Sequence, residues 1–151
     1  MTQRVLIILL LNMLLITTGC AQLSSAPWAE ISGRRFTIQI ADNDETRARG
    51  LMFVRELPED SGMLFIHDRQ EPVAYWMKNT YIALDILYFD EQFKLVAAHL
   101  NVQPCGDQAL CPNYPNYEPT KYVLEVNAGI AEQIKLKKGD QLKVSESVFS
   151  K

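Results

Sequence analysis

The sequence predicts an α+β fold rich in strand, a compact barrel- or sandwich-like sheet with two short helices at its edges. Three observations lead there. Strand patterns recur: Arg34 to Ala41 alternates with Phe36, Ile38 and Ile40 on one face, and Ala83 to Phe89 is apolar on both faces, as a central strand would be. Helical signals are confined to Glu45 to Arg49, behind the caps Asp42-Asn43-Asp44, and to Ala128 to about Lys135, behind Asn127. Most connections are short turns, which favours strands that pair with their sequence neighbours.

The first residues read as a leader. Arg4 precedes an apolar run from Val5 to Ile16, too short for a bilayer span of about 20 residues but suited to a secretory signal. Thr17-Thr18-Gly19-Cys20 follows, and a Gly directly before a Cys at this place resembles a bacterial lipobox with Cys20 as the acylated residue. Residues 1–19 are therefore expected as a signal peptide and 20–33 as a small, polar, Pro-containing tether. Residues 34–145 form the globular domain and 146–151 a polar tail. The mature chain is expected on the periplasmic side of a bacterial membrane, anchored through Cys20, or as a soluble exported protein after cleavage at Ala21 or Ala26.

Within the domain, Met63 to His67 is a strand, Asp68 to Glu71 a charged turn, and Pro72 opens the next strand, which carries Tyr75 and Met77 on one side and Trp76 and Lys78 on the other. Asn79-Thr80 bends the chain. Asp90-Glu91-Gln92 joins the central strand to Phe93 to Leu100 in a hairpin. From Asn101 to Thr120, four prolines and no apolar period predict a long irregular loop, the kind that is usually functional. Tyr122 to Val126 and Gln141 to Val144 return to strand, giving about seven strands by this pattern.

A net charge of −3 and the lack of any basic run argue against nucleic acid as a partner. Cys105 and Cys111 lie inside the long loop of an exported chain, so a structural disulfide is the expected pairing, ahead of a redox pair. A zinc site lacks a second ligand pair.

The richest stretch for chemistry runs from Tyr75 to Phe89, where Lys78, Asn79, Thr80 and Asp85 stand among apolar neighbours. Asp85 shares a strand face with Ala83, Leu87 and Phe89, and Glu125 shares one with Val123. Two such carboxylates could be an acid–base pair, with Lys78 or Arg49 holding an anion, or Asp85 could be an ion pair with Lys78 or Arg49. Met52, Met63 and Met77, with His67 or His99, could instead hold Cu(I), although methionine more often fills core gaps. His67 is expected in solvent and His99 in a hydrogen bond. Trp76 and Tyr114, with Tyr75, Tyr81 and Tyr117, suit a binding surface. No nucleophile elbow, phosphate loop or metalloprotease helix is present.

An ordered series of motifs carries a family resemblance. Arg49-Gly50-Leu51-Met52, Gly62-Met63-Leu64-Phe65 and Trp76-Met77-Lys78-Asn79-Thr80 are followed by Leu84-Asp85-Ile86, Pro104-Cys105, Cys111-Pro112, Tyr122-Val123-Leu124-Glu125 and Gly139-Asp140. From Phe36 to Val144 the chain resembles the domain of unknown function 192 family, also called uncharacterised protein family 0127. The resemblance implies a compact β-rich domain and brings no activity or cofactor. It singles out Arg49, Lys78, Asn79, Asp85, Cys105 and Glu125.

The leading expectation is a non-enzymatic cell-envelope module without a cofactor, binding a small molecule, a glycan or a partner protein. Its ligand residues would be Arg49, Trp76, Lys78, Asn79, Asp85 and Tyr114. The alternatives are a hydrolase or lyase using Asp85 and Glu125, and Cu(I) binding through methionines.

Overall fold

A computed structural model describes residues 26–106 and 110–150, so the expected signal peptide and Cys20 lie outside the described residues. From Trp28 the chain pairs at once. Strand β1 (Trp28–Ile31) turns at Ser32-Gly33, both at positive φ, into β2 (Arg34–Ala41). That two-residue turn matches the right-handed twist of its strands. Residues 28–33 therefore belong to the sheet and not to the tether, because Ala29 and Ile31 bury completely in the core.

Helix α1 (Asp44–Arg49) is closed at its start by a capping box between Asn43 and Thr46. It carries the crossover to β3 (Ser61–Trp76), which pairs parallel to β2. The sequence suggests two strands here with a charged turn between them. Instead one strand runs through Asp68 to Glu71, its register shifted on either side of Glu71. It can do so because β6 (Asn113–Asn127) accompanies it for its whole length. Between them, β4 (Leu84–Phe89) and β5 (Leu95–Val102) form the expected hairpin, with β4 buried on both faces. The irregular segment is thus shorter than the prolines suggest. Pro115 and Pro119 sit within β6, where the Asn116 side-chain amide bonds the Glu118 carbonyl and Thr120 Oγ1 in place of a regular ladder.

Helix α2 (Ile130–Gln133) begins after Gly129, not Asn127, whose side chain donates instead to the Leu57 and Pro58 carbonyls. Strand β7 (Lys143–Val144) is followed by a 3₁₀ turn (Glu146–Val148), which the expected polar tail did not foresee and which forms because Val148 packs into the core. Strand order is β5-β4-β6-β3-β2-β1-β7. The sheet curls until Lys94 bridges Gln141 and the Leu95 amide reaches the Asp140 carbonyl, nearly closing a barrel. The β-rich architecture with two short helices is the one the sequence predicts.

Alternation divides the core in two. Phe36, Leu64, Leu87, Phe89, Leu124 and Val126 fill one side with α2 against them. Phe65, Met77, Ile86, Tyr88 and Val123 fill the other, beneath α1 and the loop of the Cys105–Cys111 disulfide.

Candidate functional site

Glu125 is the group to start from. It stands on central strand β6, opposite Ile86 on one side and Met63 on the other, so its side chain enters the second core beside Val123. Only 5% of it is exposed. Burial pushes its carboxyl up to about 8. Among the described residues its carboxyl has no hydrogen bond and no ion pair. The two buried tyrosines that feel its charge are engaged elsewhere: the Tyr75 hydroxyl shares a 3.0 Å hydrogen bond with His67 Nε2, and the Tyr88 hydroxyl donates to the Tyr114 carbonyl at 2.9 Å. Both phenols are raised, by burial first and by Glu125 second.

Instead of a partner, Glu125 has a cleft. A cavity of about 30 Å³ reaches it, walled by Arg47, Arg49, Gly50 and Met52 on one side and by Tyr75, Trp76, Lys78 and Thr80 on the other. Arg47 is fixed: it donates to the Ile66 carbonyl and to Asp44 and Asp68, and its side chain is only 14% exposed. It clamps α1 to β3 and is not the solvated residue its helix suggests. Arg49 and Lys78 are exposed at the rim, and among the described residues neither has a carboxylate partner. The Lys78 ammonium lies 5.1 Å from the Trp76 ring centroid, a cation–π contact within one wall of the cleft.

The wall depends on two backbone features. Gly50 has φ +47°, and a Cβ there would meet the Phe65 ring at 3.1 Å, so the chain leaves α1 lying flat on that ring. Asn79 also takes a left-handed conformation, and its carbonyl accepts the Phe53 amide at 2.8 Å. Behind it, the Asn79 amide donates to the Gly106 carbonyl and the Gly106 amide donates to the Thr80 carbonyl. The disulfide between Cys105 and Cys111 thus ties down the far side of the Lys78–Thr80 wall without lining the cleft.

Of the expected ligand residues, Arg49, Trp76 and Lys78 line one cleft, together with Glu125 from the acid–base alternative, but Asn79, Asp85 and Tyr114 do not. Asn79 is a wall brace. Tyr114 packs beside His99, ring centroids 5.6 Å apart, and His99 bonds the Pro115 carbonyl. Asp85 is 1% exposed and accepts the amides of Asn101 and Ala131, each at 2.8 Å. It pairs with neither Lys78 nor Arg49. Because Asp85 lies opposite Val126, it faces the first core while Glu125 faces the second, so the two cannot act as an acid–base pair.

Met52 and Met63 share a second groove of about 300 Å³ with Gln39, Ile40, Thr46, Arg49, Gly50 and Val54, while Met77 is sealed in the core. Neither histidine lines that groove. His67 is half-buried on Tyr75 and is not solvated. Sequence reading missed Arg47, Gly50 and Thr80 as cleft residues.

A curled, nearly closed mixed sheet with one buried carboxyl beneath a cationic rim defines a β-rich domain with a single-carboxyl cleft. The chain belongs to the DUF192 family, described as Uncharacterized ACR, whose profile it matches over residues 28–144. Two solved structures are similar. One is a protein of unknown function from Novosphingobium aromaticivorans, 30% identical, with a TM-score of 0.70 over 77% of this chain and 83% of that one. The other, from Sinorhizobium meliloti, is described as a candidate transcription regulator; it is 34% identical, with a TM-score of 0.71 over 79% of this chain and 94% of that one. No curated protein matches the chain.

Proposed function

We propose that this protein is an exported cell-envelope domain that holds a small molecule in the Glu125 cleft without transforming it. The observation that carries the reading is a buried carboxyl that has no side-chain partner among the described residues, opening onto a cleft whose rim carries two cations with no carboxylate partner among them. A carboxyl set this deep loses most of its hydration although its oxygens reach the cleft, and a ligand that bonds it there would offset that loss. The narrow cavity and the wider groove share Arg49, Gly50 and Met52, and a head in one with a body in the other suits a small molecule better than a glycan chain. The leader and Gly19-Cys20 support export and anchoring. The regulator role attached to the Sinorhizobium relative draws no support from a chain of net charge −3 without a basic run.

Ligand-observed NMR against a library of small metabolites tests the cleft. Hits on the wild-type protein should vanish in an Arg49→Glu, Lys78→Glu double variant with an unchanged melting temperature. Hits that persist in the variant, or no hits at all, would sink the reading. A second reading rests on the raised Glu125, which could act as a lone general acid; a hit converted to product during the titration would favour it. Anchoring predicts that Cys20→Ser releases the protein from the membrane fraction.

A further inference from the structure

We infer that the cleft receives the carboxylate end of its ligand, with a carboxyl–carboxylate hydrogen bond to Glu125 and charge balance from Arg49 and Lys78. This rests on the reading of the cleft as the ligand site. The argument begins with sign. Among the described residues, the cationic side chains that wall the cleft are Arg47, Arg49 and Lys78, and Glu125 is its only acidic one. Arg47 is already neutralised by Asp44 and Asp68, which leaves two cations facing one carboxyl. An amine arriving at Glu125 would pass those cations, whereas an anion is drawn in by them.

Size narrows the choice. About 30 Å³ is the space of a few water-sized atoms. A flat carboxylate with two oxygens suits it, while a tetrahedral phosphate or sulfate brings four. The apolar remainder of the ligand then lies on Met52 and the half-exposed Trp76 ring, toward the groove of Ile40, Val54 and Met63.

Hydrogen-bonding capacity completes the case. A carboxylate ligand carries only acceptors, so the floor of the cleft must donate. Among the titratable groups that face Glu125, Tyr75 and Tyr88 have their hydroxyls engaged with His67 and the Tyr114 carbonyl, and Arg47 is tied to Ile66, Asp44 and Asp68. The Thr80 hydroxyl is turned to the Lys78 carbonyl at 3.4 Å, which leaves Glu125 as the titratable floor group free to donate among the described residues, and a proton held to about pH 8 equips it to do so. An O–H···O⁻ bond of this kind is among the strong ones.

The test is a matched set of probes: 3-phenylpropanoate, 3-phenylpropanamide, 3-phenylpropylamine and 2-phenylethylphosphonate. Each is titrated into ¹⁵N-labelled protein, following the Trp76 indole and the Gly50 and Thr80 amides. The carboxylate should bind about tenfold or more tighter than the other three, the ratio expected of one charged hydrogen bond. Its affinity should fall as pH rises past about 8. In Glu125→Gln, which keeps a neutral donor, affinity should stay flat with pH. If the amide, amine or phosphonate binds the cleft as well or better, or if Glu125→Gln follows the wild-type pH profile, the carboxylate proposal falls while the cleft remains a ligand site. If no probe moves a cleft signal, both fall.

Discussion

Asp85 and Glu125 sit on adjacent, paired strands and project to opposite faces of the sheet, one residue out of step across the β4–β6 ladder. The same residue class therefore has two jobs. Asp85 is an acceptor built into the frame, holding the Asn101 amide of β5 and the Ala131 amide of α2. Glu125 has no such employment.

Removing Asp85 should damage folding and not binding. Asp85→Ala leaves the buried Ala131 amide and the part-buried Asn101 amide without an acceptor, and Asp85→Asn sets an amide group against one of them. Denaturant melts should show a loss of about 3 kcal/mol or more for the alanine variant. Ligand affinity per folded molecule should be unchanged.

Stability should fall as pH rises from about 4.5 to about 8, and Glu125 sets the sign. Its folded value lies above its unfolded one, so between them the native state keeps a proton that the unfolded chain has released. The full effect is on the order of 4–5 kcal/mol, complete above pH 8. His67 runs the other way: burial, then Arg47, lowers it, so its contribution is lost only as pH falls below its usual value of 6.5. Between pH 6.5 and about 8, where His67 adds no slope, chemical melts should slope downward with rising pH in the wild type and flatten in Glu125→Gln.

Much of this architecture was legible and some was not, for physical reasons. The β4 run and the alternation of β2 announced themselves because burial there follows the simple period of a strand. So did the faces of Asp85 and Glu125; what period alone could not supply was the register that sets those faces back to back. Ser32-Gly33 was a hairpin signal lost in a segment that looked like a tether. Asp68 to Glu71 resembled a turn because charge and strand are rarely combined, yet Lys121 Nζ reaches the Asp68 carbonyl and Gln70 the Pro119 carbonyl, and the strand continues. The cleft was half visible. Arg49, Trp76 and Lys78 were recognised by chemical type, whereas Gly50 and Thr80 matter only through where the backbone passes.

Gly62 permits the close approach of β3 to the strand that carries Glu125. A Cβ there would stand 2.7 Å from the Glu125 carbonyl oxygen, a backbone atom that cannot swing aside. Gly62→Ala should cost about 1–3 kcal/mol in urea melts.

Breaking the disulfide should loosen the cleft wall before it unfolds the domain. With Cys105→Ser and Cys111→Ser together, the chain-entropy estimate is a loss of about 2 kcal/mol. Hydrogen exchange should quicken first at the Asn79 and Gly106 amides, which the loop and the wall exchange with each other. Uniform acceleration across the sheet would mean that the loop does not serve the wall.

The early start of β1 has a mechanical consequence. If Cys20 carries the lipid, the stretch to Trp28, where the sheet begins, can extend to only roughly 25–30 Å. On so short a leash the domain would stay beside whichever membrane holds that lipid. It would patrol the bilayer surface, and whatever enters its cleft must come to that surface or already reside there.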